Sequence, residues 1–290
     1  MSNLKKFFTF LFLVFTLFQS VSFADVCYLG PAGTYSEEAS IQYFGSSEKL
    51  IPNKTVSQSI DMLKEGKCQY AVVPVENTIG GPVYNYLELV AEDDSLSVVG
   101  KVDLPIRQAL LVWGNAQLKN IKTVYSHPQG ISQSKEWLKQ NLSDAKIVEV
   151  SSTAEASKKV SELEDKSCAA IASEGSAQVY HLNVLARDIQ MNDSNVTRFW
   201  VVTNTDRQIN NGDHYILTLT GDDNQVVKLL NFLENSGYKI DYIHDIPRKT
   251  YLGDYIYLVE LNSNSNSTSI NDIIDDNAYS DLNIHILGRY

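Results

Sequence analysis

Between Asp25 and about Thr203 the chain alternates short apolar runs with longer amphipathic ones. This rhythm restricts the fold more than any other feature. VCYLG (26–30), YAVVPV (70–75), ALLVW (109–113), TVYS (123–126), KIVEV (146–150) and CAAIA (168–172) have the length and composition of strands. Between several of them lie helix-period segments: SEEASIQYF, SQSIDMLKEG, ISQSKEWLKQNL and AEASKKVSEL. Strand and helix in alternation predict an α/β fold with a largely parallel sheet.

Capping signals follow several strands. Thr34-Tyr35-Ser36-Glu37, Ser126-His127-Pro128-Gln129 and Ser152-Thr153-Ala154-Glu155 each set a hydroxyl three residues before Glu or Gln. Singly these are plain helix starts. Together they place helix N-termini at the carboxyl ends of strands, the edge where open α/β sheets bind ligands and where anions are favoured. A small carboxylate-bearing ligand suits that edge.

After Val202 a polar hinge, TNTDRQINNGDH, leads to a segment of different rhythm over about 214–290. HYILTLTG, YKIDYIHDIP, YIYLVELN and NIHILGRY read as strands, while DNQVVKLLNFLENSG and SINDIIDDNAYS read as helices. The order βαββαβ is that of a ferredoxin-like unit. NSNSNSTS (262–269) is expected to be a loop.

At the other end, Lys5 and Lys6 precede an apolar run from Phe7 to Phe18, and small residues close the segment at Ser22-Phe23-Ala24. This is the layout of a secretory signal peptide, expected to be cleaved after Ala24. A retained anchor is the other reading, but the run falls short of the roughly 20 residues a spanning helix needs. Cleavage removes two lysines and takes the formal charge from −11 to −13. Such a surface argues against nucleic acid or anionic membrane as partner. The cysteines, Cys27, Cys68 and Cys168, have no CxxC or His-paired spacing, which argues against a metal site. Buried thiols are expected, with a Cys27–Cys68 disulfide as the alternative that an oxidising compartment permits.

Six motifs in order, GPAGTYSEEA (30–39), VPVENTIGGPV (73–83), SHPQGISQSKEWL (126–138), STAEA (152–156), AAIASEGSAQVYHLNVLARDIQ (169–190) and NVTRF (195–199), resemble prephenate dehydratase over about residues 26–203. The last 77 residues resemble the ACT domain that commonly follows it. The resemblance implies a two-lobed, type II periplasmic-binding-protein-like fold with the site in the cleft. Lobe one would comprise 25–100 and 185–204, lobe two 101–184, followed by a linker at 205–213 and an ACT-like domain at 214–290. It implies conversion of prephenate to phenylpyruvate, with loss of water and carbon dioxide together and no cofactor. A homodimer or higher oligomer through the ACT-like domain is expected.

The family motifs assign Thr197 as hydrogen-bond donor to the departing ring hydroxyl, relayed to a second polar group. Asn77, Ser126 and Gln133 match other polar site positions, and Thr78, Ser152 and Thr153 are expected to line the same cleft. Arg198 pairs either with a substrate carboxylate or with an acid such as Glu76. His127 has the chemistry of an acid–base group but stands at a helix start, where it caps or packs. Each residue also has a plainer reading: Asn77 ends a strand, Ser126 caps a helix, Thr197 is a β-branched strand residue. Asn195-Val196-Thr197 is formally a glycosylation sequon, read here as coincidence because a glycan would block the proposed cleft.

Three departures from the family pattern matter. Gln108 stands where the family usually has histidine. The export signal is unusual for the family. GDDNQVV (221–227) and HDIPRK (244–249) replace the Gly-Ala-Leu and Glu-Ser-Arg-Pro stretches of phenylalanine-responsive ACT domains, which argues for a dimerisation module with lost or altered feedback. Two further readings stand beside the main one: dehydration of arogenate, alone or with prephenate, and an exported binding protein for a cyclic dicarboxylate.

Overall fold

The computed structural model describes residues 25–204, 212–264, 267–274 and 277–290. The expected signal peptide and most of the hinge lie outside them. No described helix is long and apolar enough to cross a membrane.

The first segment comprises β1 (Asp25–Leu29), α1 (Tyr35–Phe44), β2 (Lys49–Asn53), α2 (Val56–Lys64), β3 (Tyr70–Asn77), the short β4 (Gly81–Pro82), α3 (Tyr84–Ala91) and β5 (Leu96–Pro105). The second comprises β6 (Ala109–Val112), β7 (Thr123–Ser126), α4 (Pro128–Gln133), α5 (Lys135–Asn141), β8 (Lys146–Glu149), α6 (Thr153–Leu163), β9 (Cys168–Ala172), α7 (Glu174–Val179) and β10 (Asn183–Ala186). The chain then returns through β11 (Val196–Asn204). It closes with β12 (His214–Gly221), α8 (Asp223–Asn235), β13 (Tyr238–Pro247), β14 (Tyr255–Ser263), α9 (Ile270–Ile274) and β15 (Leu282–Arg289).

Two sheets result. The smaller has the order β10-β6-β9-β7-β8. The larger begins β2-β1-β3-β11-β5 and continues through β15 into β12, β14 and β13. The expectation of a largely parallel sheet is met only in part. β1, β2 and β3 are parallel, but β11 runs antiparallel to both β3 and β5. β11 and β5 are the strands that carry the chain between the two sheets, so they must run in opposite senses.

Sheet membership also moves the expected lobe boundaries. β5 extends the first sheet to Pro105, whereas Asn183–Ala186 pairs with β6 in the second. The expected helix over ISQSKEWLKQNL is broken at Ser134, whose φ and ψ are −104° and 9°. The carbonyl of Gln133 accepts from Met191 N at 2.8 Å and so leaves the helical ladder there.

The joint between the β1–β11 strands and the C-terminal strands of the larger sheet is narrow. Gly288 of β15 pairs with Val98 of β5, and a Cβ at Gly288 would stand 2.6 Å from the Val98 carbonyl oxygen. Beneath it lies one core common to both parts. Trp200, Val202, Leu87 and Val98 pack with Ile216, Ile246, Ile256, Leu258 and Leu287, all buried. Burial of each large side chain there contributes about 1.5–3 kcal/mol relative to exposure. Alternation along β11 explains the division: Phe199 and Val201 join the core on the α1 side, and Trp200 and Val202 the other.

Candidate active site

A cavity of about 870 Å³ lies between the two sheets. Three helix starts reach it: Thr34 to Ser36 at α1, His127 to Gly130 at α4, and Ser151 to Thr153 at α6. Thr34 accepts from Glu37 N at 3.4 Å and Ser152 from Glu155 N at 2.9 Å, as two of the capping signals predict. The third signal is displaced by one residue. His127, not Ser126, is the N-cap of α4, and its Nδ1 accepts from Gln129 N at 3.2 Å. Pro128 explains the shift, because its fixed φ and missing N–H suit the first helical position.

Ser126 is fully buried and donates to the carbonyl of Ile171 at 2.8 Å, beneath the cavity lining. It supports the floor and does not face a ligand. A Cβ on Gly130 would lie 2.6 Å from its Oγ, so α4 seats directly on it.

The loop from Gly30 to Thr34 is held on both sides. Glu37 accepts from Tyr28 Oη at 2.8 Å and from Gly33 N at 2.6 Å. Across the cleft, Tyr180 Oη donates to the carbonyl of Ala32 at 2.8 Å. Gly33 has φ of +83°, and a Cβ there would stand 2.9 Å from Ser176 Oγ and 3.0 Å from Tyr180 Cε2. The two halves thus touch through a position where only glycine fits.

Thr197 and Phe199 face the cavity from β11. Thr197 stands opposite Asn77 of β3. Asn77 Nδ2 donates to Thr197 Oγ1 at 2.7 Å and to Asn195 Oδ1 at 2.8 Å, while Asn77 Oδ1 accepts from Ile79 N and Gly80 N at 2.9 and 3.1 Å. Every hydrogen-bonding position of the Asn77 amide is therefore used inside the protein. Asn77 lines the cavity, but its amide is committed to Thr197, Asn195 and the turn that follows it. Because Thr197 Oγ1 is an acceptor in this pair, its own O–H remains to donate into the cavity.

Asn195 is 1% exposed, and Nδ2 of its amide has no partner. A buried amide is no glycan acceptor, so the sequon is incidental. The residue instead orients Asn77, a role that its place two residues before Thr197, just ahead of β11, could have suggested.

Gln133 and Gln108 meet on the opposite wall. Gln108 Nε2 donates to Gln133 Oε1 at 2.9 Å, which leaves the Gln133 amide N–H groups for a ligand. Lys54 and Glu155 are the oppositely charged lining residues among those described. Neither is named from the sequence as a site residue, Glu155 only as part of a capping signal; Lys54 directly precedes Thr55, the N-cap of α2.

Beside Ser126, two further expected site residues turn away. Thr78 donates to the carbonyl of Ser194 and accepts from Val196 N, at 2.8 and 3.0 Å, so it staples the Asn77 turn to β11. Arg198 faces the back of the sheet. Its Nε and Nη2 meet the Asp103 carboxylate at 2.8 and 3.2 Å, and Nη1 lies 3.5 Å from Glu260 and 3.9 Å from Glu76. Of the two readings, the ion pair is the one observed, with Asp103 as chief partner. The hydrogen bonds that Arg198 donates to Asp103 push its pKa up further. Burial pushes the Glu260 carboxyl up, opposed by Arg198 and Lys101.

Cys27, Cys68 and Cys168 are buried and free, so the disulfide alternative does not form.

Two mixed sheets, crossing strands between them and a cleft lined by hydroxyls, amides and helix N-termini define a mixed α/β protein with a polar cleft between its sheets. The chain belongs to the prephenate dehydratase family, whose pattern matches residues 26–207. It is 32% identical over 267 residues to a bifunctional chorismate mutase/prephenate dehydratase of Aquifex aeolicus, covering 91% of this chain and 73% of the relative. It is 30% identical over 272 residues to the prephenate dehydratase of Lactococcus lactis subsp. cremoris, covering 91% and 96%. The crystal structure of prephenate dehydratase from Arthrobacter aurescens in complex with L-Phe superposes with a TM-score of 0.78 at 26% identity, covering 91% of this chain and 89% of that one.

Proposed function

We propose that the protein catalyses the decarboxylating dehydration of prephenate to phenylpyruvate, with Thr197 as the donor to the leaving hydroxyl. One observation carries this reading: Thr197 Oγ1 accepts from Asn77 Nδ2 at 2.7 Å and keeps its own proton for the cavity. A bond received from Asn77 draws charge from the oxygen and makes the remaining O–H a better donor.

The chemistry needs little more. Loss of carbon dioxide aromatises the ring, so the driving force resides in the substrate. The protein must orient a dianion and assist the departure of one hydroxyl. Helix N-termini at Thr34 and Ser152, the amide of Gln133 and the ammonium of Lys54 suit the carboxylates. Donation to the leaving group is worth about 10²–10⁴ in rate, and orientation a comparable or larger share.

The finer architecture belongs to the same reading. The lobes correspond to a type II periplasmic-binding-protein-like domain, 214–290 to an ACT-type module for homodimer or higher assembly, and the first 24 residues to an export signal. We assign the module lost or altered phenylalanine feedback, because His244, Asp245 and Ile246 stand where the responsive motif has its acid, serine and arginine. Calorimetry with L-Phe tests this, and tight binding or inhibition of turnover would overturn it.

The activity is tested by incubating the purified protein with prephenate, and in parallel with arogenate, while following phenylpyruvate and phenylalanine. Turnover of prephenate that Thr197→Val lowers about 10²–10⁴-fold is the expected result. Turnover of arogenate alone would reassign the substrate, and binding without product would mark a receptor.

A further inference from the structure

The back of β11 carries a second polar assembly that the chemistry above does not use. Glu260 of β14 enters between β11 and β5 with its side chain only 4% exposed. Its carboxylate accepts from Trp200 Nε1 at 3.1 Å, lies 3.5 Å from Arg198 Nη1, and stands 3.8 Å from Lys101 Nζ. Arg198 and Trp200 alternate with Thr197 and Phe199, so Glu260 grips the strand directly behind the cleft.

The local backbone makes this grip consequential. In the β11–β3 pairing Arg198 opposes Glu76, but Phe199 opposes Pro74, leaving Val75 as an extra residue. Such a bulge bends the strand and re-aims its side chains. Pro74 has no N–H to give the ladder at that point. On the β3 side the ladder is therefore interrupted next to Asn77, while Thr197 keeps its pairing with Leu104 of β5, and side-chain ties take a larger share at Asn77. Beside the staple of Thr78, Arg198 supplies such ties, to Asp103 on β5, to Glu76 beside Asn77, and to Glu260.

We infer that Glu260, from the C-terminal part of the chain, is a positioning residue for the Thr197–Asn77 pair, acting through Arg198. Resting on the proposed role of Thr197, it makes the seating of β14 on β11 a determinant of turnover. Withdrawing the carboxylate frees Arg198 Nη1 to swing toward Glu76, which shifts the residue next to Asn77. A two-state tie of this kind changes coupling by about twofold to thirtyfold.

The test uses the full chain and the variant Glu260→Gln, which keeps the acceptor for Trp200 and removes the charge. Expected is a kcat lower by about twofold to thirtyfold per folded molecule with KM unchanged. Arg198→Lys should lower kcat likewise, and the double variant should be no worse than the poorer single one. If Glu260→Gln does not fold, Glu260→Asp and Arg198→Lys give the same reading. An activity-independent measurement follows the methyl resonance of Thr197 in threonine-labelled protein, assigned by its loss in Thr197→Val. It should move in Glu260→Gln. An unmoved resonance, or additive kcat effects, overturns the inference while leaving the proposed function intact. A wild type inactive toward prephenate and arogenate refutes the function, and the resonance still decides the coupling.

Discussion

Replacing Asn77 by aspartate separates activity from stability and tests the relay most directly. The change is nearly isosteric and retains Oδ1, which accepts from Ile79 N and Gly80 N and so shapes the turn. Only Nδ2 is lost, and with it the bonds to Thr197 and Asn195. Thr197 then faces an acceptor and turns its proton toward residue 77, away from the cavity. Asn195 can rotate its amide, presenting the Nδ2 that has no partner in the wild type to the new carboxylate. Two hydrogen bonds are lost and two gained in the reverse sense, each worth about 0.5–1.5 kcal/mol, so the unfolding free energy should change by about 1 kcal/mol or less. Turnover should fall by about 10²–10⁴, as in Thr197→Val. The two losses should not add, because both remove the same donated proton. Steady-state kinetics of phenylpyruvate formation and urea unfolding of the same preparations provide the comparison. An N77D enzyme that keeps more than about a tenth of wild-type kcat would refute the relay; the expected loss is at least tenfold larger.

Further outcomes follow from the geometry. Gly33→Ala should cost about 1–3 kcal/mol in unfolding free energy and raise KM, since φ is +83° and Ser176 and Tyr180 are in the way; an unchanged urea midpoint would contradict the close contact. Burial holds His214 and His244 below the usual imidazole value of 6.5, with Lys101 adding to the effect at His214 and Arg198 at His244. Their folded-state affinity for protons is depressed, so their stability contribution is full above about pH 6.5 and is lost as pH falls through the folded-state values. Urea midpoints of His244→Gln should therefore depend less on pH below 6.5 than those of the wild type. Three thiols should titrate with Ellman's reagent in denaturant without reductant, and few in the native state; a single one in denaturant would mean that a disulfide forms.

Much of the candidate site was legible because it is built from strand and helix ends. Thr197, Gln133, Ser152 and Thr153 line the cavity as expected. The misplacements have local causes that simple rules contain. Arg198 adjoins Thr197 in a strand, and successive residues of a strand face opposite ways, so both could not reach one cleft. Pro128 at the first helical position transfers the cap from Ser126 to His127. Other features depend on partners far along the chain. The break at Ser134 needs Met191, and the unrecognised strand β5 contains Gly100, whose site would place a Cβ 2.2 Å from Tyr43 Oη. No spacing rule announces the carboxylate of Glu260 behind β11.

The core shared between catalytic and C-terminal strands has a consequence for biosynthesis. Trp200 and Val202 leave the ribosome well before Ile216, Ile246, Ile256, Leu258 and Leu287, which cover them. At ordinary elongation rates, about 5–20 residues per second, that interval lasts several seconds. Throughout it the nascent catalytic lobes present an apolar face and a cationic Arg198 without Glu260. An uncovered apolar surface therefore exists transiently on every new chain, and truncation after residue 204 would make it permanent. Aggregation of such a fragment would reflect an exposed seam in otherwise well-formed lobes.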